Sequence, residues 1–397
     1  FYTKYEDRFV VMSASHKVSY HNCFPGGYID HVNRVIKGAL YMDRLWSTMG
    51  SAATYTQEEL VFAAMNHDLG KWGDFDNDGD IDLFVGARVE QGKYPYAPKS
   101  YLLINEKGSF KDLSPSLASE IERIGMVTDA VWNDIDHDND LDLIVTGEWM
   151  GIEIFENNAG VLTRSIKYPS LSNAKGWWNS LLVCDIDNDG DKDILAGNLG
   201  LNYKFHASYE KPLHVYTNDF DHNGIEDIVL AKYYNEKQVP VRGKQCTSQQ
   251  MPFLNEKVKS YADFANYDLK GLFGDDIDTS LHYEANEFKS GIFFNDNEGD
   301  FKFSPFQIEL QSSVINSMVY EDFDQDGIKD LLMAGNNYCS EVETTRADAG
   351  KGIYLKGMVN GNFKYISNIK TGIFINGDVR NLESIKTSDG INILNIN

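Results

Sequence analysis

The sequence predicts a mainly β chain: a β-propeller of four-stranded blades with calcium-binding loops, preceded by a small α-helical segment and carrying a helical insertion near 249–273. Three observations lead there. An acidic loop recurs five times, at 74–86, 134–147, 185–197, 219–231 and 322–335. Every copy runs directly into a short apolar strand. Around the second copy four strand-like runs follow one another, and four antiparallel strands per repeated unit is the pattern of a propeller blade.

The first 71 residues read differently. Ile29, Val32, Val35, Ile36, Ala39 and Trp46 fall at helical spacing. Thr56-Gln-Glu-Glu59 forms a capping box, with Leu60, Ala63, Ala64 and His67 at helical spacing after it. The phrases GGYIDHVNRV (26–35) and NHDLGK (66–71) resemble the HD phosphohydrolase superfamily. That resemblance implies a divalent transition metal held by His31, His67 and Asp68, with His21 a weaker candidate, and a metal-activated water attacking a phosphate ester. The family's further aspartate on a later helix has no counterpart here. After Lys71 the chain goes straight into Trp72-Gly73 and the first acidic loop, so the segment reads as a truncated HD domain (1–71) joined to the repeats (72–397). One stretch cannot be both HD helix and blade strand. Helix to about Leu69 leaves 71–75 for a shortened first strand.

The loops carry the chemistry. Acidic or amide side chains occupy positions 1, 3, 5 and 9: Asp74, Asp76, Asp78 and Asp82; Asp134, Asp136, Asp138 and Asp142; Asp185, Asp187, Asp189 and Asp193; Asp219, Asp221, Asn223 and Asp227; Asp322, Asp324, Asp326 and Asp330. Calcium takes six to eight oxygen ligands at about 2.3–2.6 Å in a flexible shell, which such a loop can supply. Position 6 is glycine in four copies and Asn139 in the second, as a sharp left-handed turn requires. One Asp-rich turn could simply satisfy its own backbone through Asx-turns. Five copies that all feed strands argue for cation binding. An EF-hand is excluded, because its loop ends in a glutamate at position 12 between helices. Here a strand begins by position 9. Asn223 lowers the charge of the fourth loop, which should bind most weakly.

In the second unit the strands are expected at 127–133, 141–146, 152–157 and 161–166, the last two joined across Asn158-Ala159-Gly160. Successive loops start 60, 51, 34 and 103 residues apart (134−74, 185−134, 219−185, 322−219). The short gap shows no hairpin, and 197–211 reads as an extended loop. The long gap holds Leu254, Val258, Tyr261, Ala265, Leu269 and Leu272 at helical spacing, read as one or two helices. Strands resume at 291–295 and 301–304. A last partial unit begins near Phe374, and its loop, Asn376-Gly-Asp-Val, has lost the acid series.

The net charge of −24 argues against nucleic acid, since phosphate recognition needs basic patches. Cys23, Cys184, Cys246 and Cys339 lie too far apart for a zinc knuckle or a disulfide framework. No apolar run approaches a membrane span. The chain begins at Phe1, so a signal sequence cannot be read from it.

The repeats, with WGDFDNDGDIDLFVG, GNLGLN and QMPF, resemble FG-GAP/VCBS repeats, the calcium-binding propeller units of integrin α-subunits and many secreted bacterial surface proteins. The resemblance implies Ca2+ at loop positions 1, 3, 5 and 9 and at the position-7 carbonyl. It also implies an extracellular or cell-surface setting and a protein or glycan ligand. The reading is a binding or adhesion module. The alternatives are phosphohydrolysis through His31, His67 and Asp68, and a catalytic propeller like those of some polysaccharide lyases. Trp149, Trp177, Trp178 and Tyr203 either stack on a ligand or pack between blades, and packing is favoured.

Overall fold

A computed structural model describes residues 71–387 and 390–396, apart from 80, 107–108, 296–298, 339–343 and 360, together with helical positions 37, 40 and 44. His21, His31, His67 and Asp68, and with them the HD-like reading, lie outside the described residues. The chain divides into two compact units: Phe1–Val85, Tyr101–Ser114 and Ser384–Ile393 in one, and Gly86–Ser100, Pro115–Glu383 and Leu394–Asn397 in the other.

The described chain is mainly β, in antiparallel sheets. The first sheet is β1 (Lys71–Gly73), β2 (Asp82–Val85), β3 (Tyr101–Glu106) and β4 (Ser109–Asp112), in sequential order. Its first strand is the shortened one expected at the junction, and pairs Trp72 with Leu83. The second sheet runs β5 (Met126–Asn133), β6 (Asp142–Met150), β7 (Glu153–Asn157) and β8 (Leu162–Arg164), with β9 (Gly176–Trp177) added beside β6.

The third sheet starts with β10 (Ser180–Cys184) and β11 (Asp193–Gly197), and then the chain leaves it. A separate sheet follows: β12 (Leu213–Asn218), β13 (Asp227–Tyr234), β14 (Lys237–Pro240) and β15 (Leu281–Ala285), in the order β14-β13-β12-β15. Only then do β16 (Gly291–Asn295) and β17 (Phe301–Pro305) return to complete the third sheet as β10-β11-β16-β17. A fifth sheet, β18 (Ser317–Glu321), β19 (Asp330–Ala334), β20 (Ile353–Gly357) and β21 (Phe363–Ile366), is sequential again. Then β22 (Asn381–Thr387) and β23 (Gly390–Ile396) pair as a two-stranded sheet, both lying after the Asn376-Gly-Asp-Val loop, with no strand at Phe374.

The insertion therefore differs from the expected one. It spans 198–290 and includes a whole sheet with the fourth acidic loop. The uneven gaps follow, because the hairpin missing after the third loop lies beyond the insert, where Ile194 pairs with Phe293 and Leu195 with Ile292. Asn198 secures the departure point. Fully buried, it donates from its backbone N–H to Ser290 Oγ at 2.8 Å and from Nδ2 to the Glu287 carbonyl at 2.9 Å. Its Oδ1 accepts from the Trp177 and Leu199 amides.

The insert's helical part is also broken more finely than one or two helices. It contains five short ones, Lys244–Gln250, Leu254–Lys257, Tyr261–Asn266, Leu269–Phe273 and Asp276–Thr279. Ser260 and Asp268 cap new starts with their side chains, and Gly274 ends one at φ +67°. The apolar spacing is kept across these breaks, so Leu254, Val258, Leu269 and Leu272 still bury one face, against Tyr216, Val229 and Ala231 of the fourth sheet.

Leu269 thus belongs to the same buried face as Leu254 and Leu272. The sheets pack in succession through alternate residues of one strand. Ile194 joins Ile144, Ile154 and Trp178 in a core with the second sheet, while its neighbour Leu195 joins Met318, Leu331 and Leu355 in a core with the fifth. A strand buried on both faces needs an unbroken apolar run, which is why β6, β11 and β19 read DLIVTGEWM, DILAG and DLLMA rather than alternating. The tryptophans are part of this packing. Trp149 and Trp178 are buried, and Trp177 makes edge contacts with Trp149, Phe205 and Phe288 at 5.1–5.5 Å. Trp149 lies in β6 rather than in a loop, left-handed at φ 61° where the register with β9 shifts.

Candidate metal centres

Each acidic loop joins two neighbouring antiparallel strands: β1 to β2, β5 to β6, β10 to β11, β12 to β13 and β18 to β19. The loop is shaped by two left-handed residues. Position 6 is one, with φ between 73° and 106° at Gly79, Asn139, Gly190, Gly224 and Gly327. Position 4 is the other, at Asn77, His137, Asn188, His222 and Gln325, with φ of 57–62°. The sequence reading identified only the first. Asn and His tolerate this region better than most residues, a signal that was present at four of the five positions.

The side chains then divide the work by position. Position 1 closes the loop: Asp134, Asp219 and Asp322 accept from the amides of positions 5 and 6, and Asp74 and Asp185 from position 6 alone. Position 5 accepts from position 7 in the last four loops, as Asp189 does from Asp191 at 2.9 Å. The Asx-turns are thus real, and they hold the carboxylates in place.

Position 9 does something the sequence did not reveal. Asp142 is fully buried. Its Oδ2 accepts from the Ile135 amide at 2.9 Å, and its Oδ1 from the Asn157 amide on β7 at 2.8 Å. Asp82 does the same with Phe75 and Asn105, Asp193 with Ile186 and Asn295, and Asp330 with Phe323 and Gly357. One carboxylate therefore ties the loop to the third strand of its sheet. The recurring asparagine ending β7 and β16, and near the end of β3, was the available signal. In the fourth loop, whose sheet has a different order, Asp227 Oδ1 takes Gln250 Nε2 at 3.2 Å instead.

Positions 1, 3 and 9 converge in four loops: Asp134, Asp136 and Asp142; Asp185, Asp187 and Asp193; Asp219, Asp221 and Asp227; Asp322, Asp324 and Asp330. In each, one oxygen from every carboxylate lies within 4.8 Å of the others. In the first loop the convergent set is Asp74, Asp76 and Asp78. Asp138, Asp189 and Asp326 at position 5, and Asp82 at position 9 of the first loop, lie outside these triads.

The electrostatics fit a cation. Burial pushes Asp142, Asp193 and Asp227 up to about 6, with the neighbouring loop carboxylates adding to the rise. Asp76, Asp136 and Asp187 are raised by burial first and by the position-5 charge second in the case of Asp136 and Asp187, and likewise by Asp78 for Asp76. Three buried carboxylate oxygens, Asp74 Oδ1, Asp185 Oδ1 and Asp227 Oδ2, have no hydrogen-bond donor. A buried, unpaired carboxylate oxygen is costly unless a cation meets it. All-oxygen carboxylate donors suit a hard cation such as Ca2+.

The fifth loop differs. Lys356, on β20, places its ammonium against Asp324 and, at 2.7 Å, against Asp326. That contact holds the Asp326 carboxyl below its usual range and raises the lysine. Loops are also linked to their surroundings. His137 Nε2 lies 3.3 Å from Asp191 of the third loop, and Gly361, at φ +72°, packs so closely on Asp187 that a Cβ would come within 2.5 Å of its Cα.

Two overlapping stretches, 74–145 and 134–196, match the FG-GAP-like repeat. Residues 74–196 are thus similar to FG-GAP-like repeats. The matched stretches contain the first three loops; the fourth lies in the insert and the fifth beyond it. No curated protein matches the chain. Among solved structures, the biofilm matrix protein Bap1 of V. cholerae aligns with a TM-score of 0.29 and 10% identity, over 81% of this chain and 64% of that one. This chain thus spans less than two thirds of that protein's length. Among the described residues, no helix is long and apolar enough to cross a membrane.

Proposed function

We propose that the chain is a calcium-stabilised, propeller-type binding module that works outside the cell or on its surface, adhering to a protein or glycan. The observation that carries this reading is the repeated carboxylate triad, preformed by its own loop and leaving buried oxygens without donors in three of the five copies. The FG-GAP-like repeats and the face-to-face succession of sheets support a blade-like arrangement. Each bound ion would take carboxylates from positions 1 and 3, with position 9 or 5 and the position-7 carbonyl completing the set.

Calcium bound to the folded state alone would add about 2.7 kcal/mol per site at a hundredfold excess over Kd. The test has two parts. Calorimetric titration should find several calcium ions per chain, and excess EDTA should lower Tm by many degrees; a Tm indifferent to EDTA would remove the structural role of calcium. An array of glycans and surface proteins, probed with calcium present, should then yield a ligand, and silence across it would remove the adhesion reading.

A further inference from the structure

In one place on this acidic chain the charge is inverted. A cleft of about 370 Å³ opens between the segment leading into β12 and the β13–β14 hairpin. Lys204, Lys211, Lys232 and His206 line it, and no Asp or Glu is among the described residues that do. The whole chain has 60 acidic residues against 36 lysines and arginines, so a cleft lined by three lysines, with Glu236 paired to Lys211 at its rim, is locally basic. Such a site attracts anions, and the surrounding negative field would favour only those that reach the lysines.

The same walls carry aromatic faces. Phe205 is buried and braced edge-on by Trp177 at 5.3 Å, with Lys204 Nζ 5.1 Å from its ring centre. Tyr233, between Lys232 and Tyr234 on β13, turns its ring to the opposite face of the sheet, where Gln238 Nε2 donates to its hydroxyl at 3.3 Å and His214 meets it edge-on at 5.6 Å. Tyr234, next along β13, is 64% exposed. Both rims are stiff. The Ser208 amide donates to the Lys211 carbonyl and the Lys211 amide to Ser208 Oγ, each at 3.1 Å. The hairpin turn is formed by Asn235 and Glu236, at φ 46° and 61°. Lys211 pairs with Glu236, which is 81% exposed, and an exposed pair of this kind is cheaply exchanged for a ligand anion.

We propose that this cleft binds an anionic saccharide, its carboxylate or sulfate groups meeting Lys204, Lys211 and Lys232 and a sugar face lying on Tyr234. The proposal deepens the adhesion reading and rests on it. The volume falls at the lower end of small-ligand sites, about 300–1,000 Å³. Aromatic rings with polar edges suit a sugar's apolar face and hydroxyl rim. An acidic peptide would need only the basic side chains, whereas the exposed Tyr234 ring beside them gives a sugar face a surface to lie on.

The experiment is calorimetric titration of the calcium-loaded chain with oligogalacturonate, a chondroitin sulfate oligosaccharide, a neutral dextran oligosaccharide and poly-glutamate. At least one charged saccharide should bind at least tenfold tighter than the neutral one and weaken in 0.5 M NaCl. Which of the two binds identifies the anionic group. The double variant Lys204→Ala/Lys232→Ala should lose at least tenfold in affinity with Tm unchanged, and Tyr234→Ala, at an exposed position, should weaken the saccharide too. Poly-glutamate binding as tightly as the saccharide would overturn the proposal in favour of an acidic peptide. Unchanged affinity in both variants would overturn it by moving the site elsewhere. If no charged saccharide binds while the array yields another ligand, the cleft proposal fails and the adhesion reading stands; if the array is also silent, both fail.

Discussion

At the scale of the residue, loops that share a motif are not equivalent, and Lys356 makes the difference plainest. The sequence ranks the fourth loop weakest, because Asn223 replaces a carboxylate. In the fifth loop, however, an ammonium already neutralises Asp324 and Asp326, two of the candidate ligands. A calcium ion entering there must displace it. Lys356→Ala should therefore raise the number of calcium ions bound at a fixed low calcium concentration and lower Tm in EDTA; a variant with unchanged stoichiometry would show that the lysine does not compete. The buried aspartates make a second prediction. Asp142, Asp193 and Asp227, raised to about 6, hold protons more tightly in the folded chain than in the unfolded one, where a carboxyl titrates near 3.9. Their contribution in EDTA is fully present below about pH 4 and is lost as pH rises through about 6. Calcium needs the ionised forms, so its increment to Tm should grow over the same interval. Melting curves from pH 4 to 8 with calcium or EDTA check both trends, and an increment that shrinks with rising pH would contradict them.

At the scale of the element, the acidic loop and the outer strands form one unit because of position 9. Asp193→Ala would leave the buried Ile186 and Asn295 amides without acceptors, at about 1–3 kcal/mol each. Urea unfolding should show that loss even in EDTA. Asp187→Ala, at exposed position 3, should cost stability mainly when calcium is present, and more than Asp221→Ala in the loop already short of a carboxylate. Equal losses for Asp193→Ala and Asp187→Ala in EDTA would show that position 9 is only a metal ligand. The strands themselves were legible. The second sheet's four strands lie within a few residues of their expected positions, because turn residues and apolar runs there act locally. The helical insert was legible as an apolar stripe but not as five helices, since its interruptions depend on local caps such as Ser260 and Asp268.

At the scale of the whole molecule, the order of strands along the chain is not their order in the sheets. The third sheet waits 93 residues (198–290) for its outer hairpin, and the insert brings the fourth acidic loop, the helices and the lysine-lined cleft. Residues 1–71 resemble an HD segment in sequence alone. Its motif residues His31, His67 and Asp68 lack the family's last aspartate, and we expect no hydrolysis of nucleotide or generic phosphoesters with manganese or nickel. Activity abolished by Asp68→Ala would reverse that expectation.

The sequence by itself determined the β class and the repeated acidic loops, and it singled out the carboxylates proposed to meet a cation. These follow from composition and short-range spacing, which act within one loop or one strand. Only the tertiary structure decided that Asp142 and its counterparts staple the third strand, that Lys356 reaches into the fifth loop and that Ile194 pairs with Phe293. Nor could spacing show that Lys204, Lys211 and Lys232 line one cleft. Each of these joins residues far apart in the chain, and their meeting depends on burial and pairing geometry that no local pattern encodes.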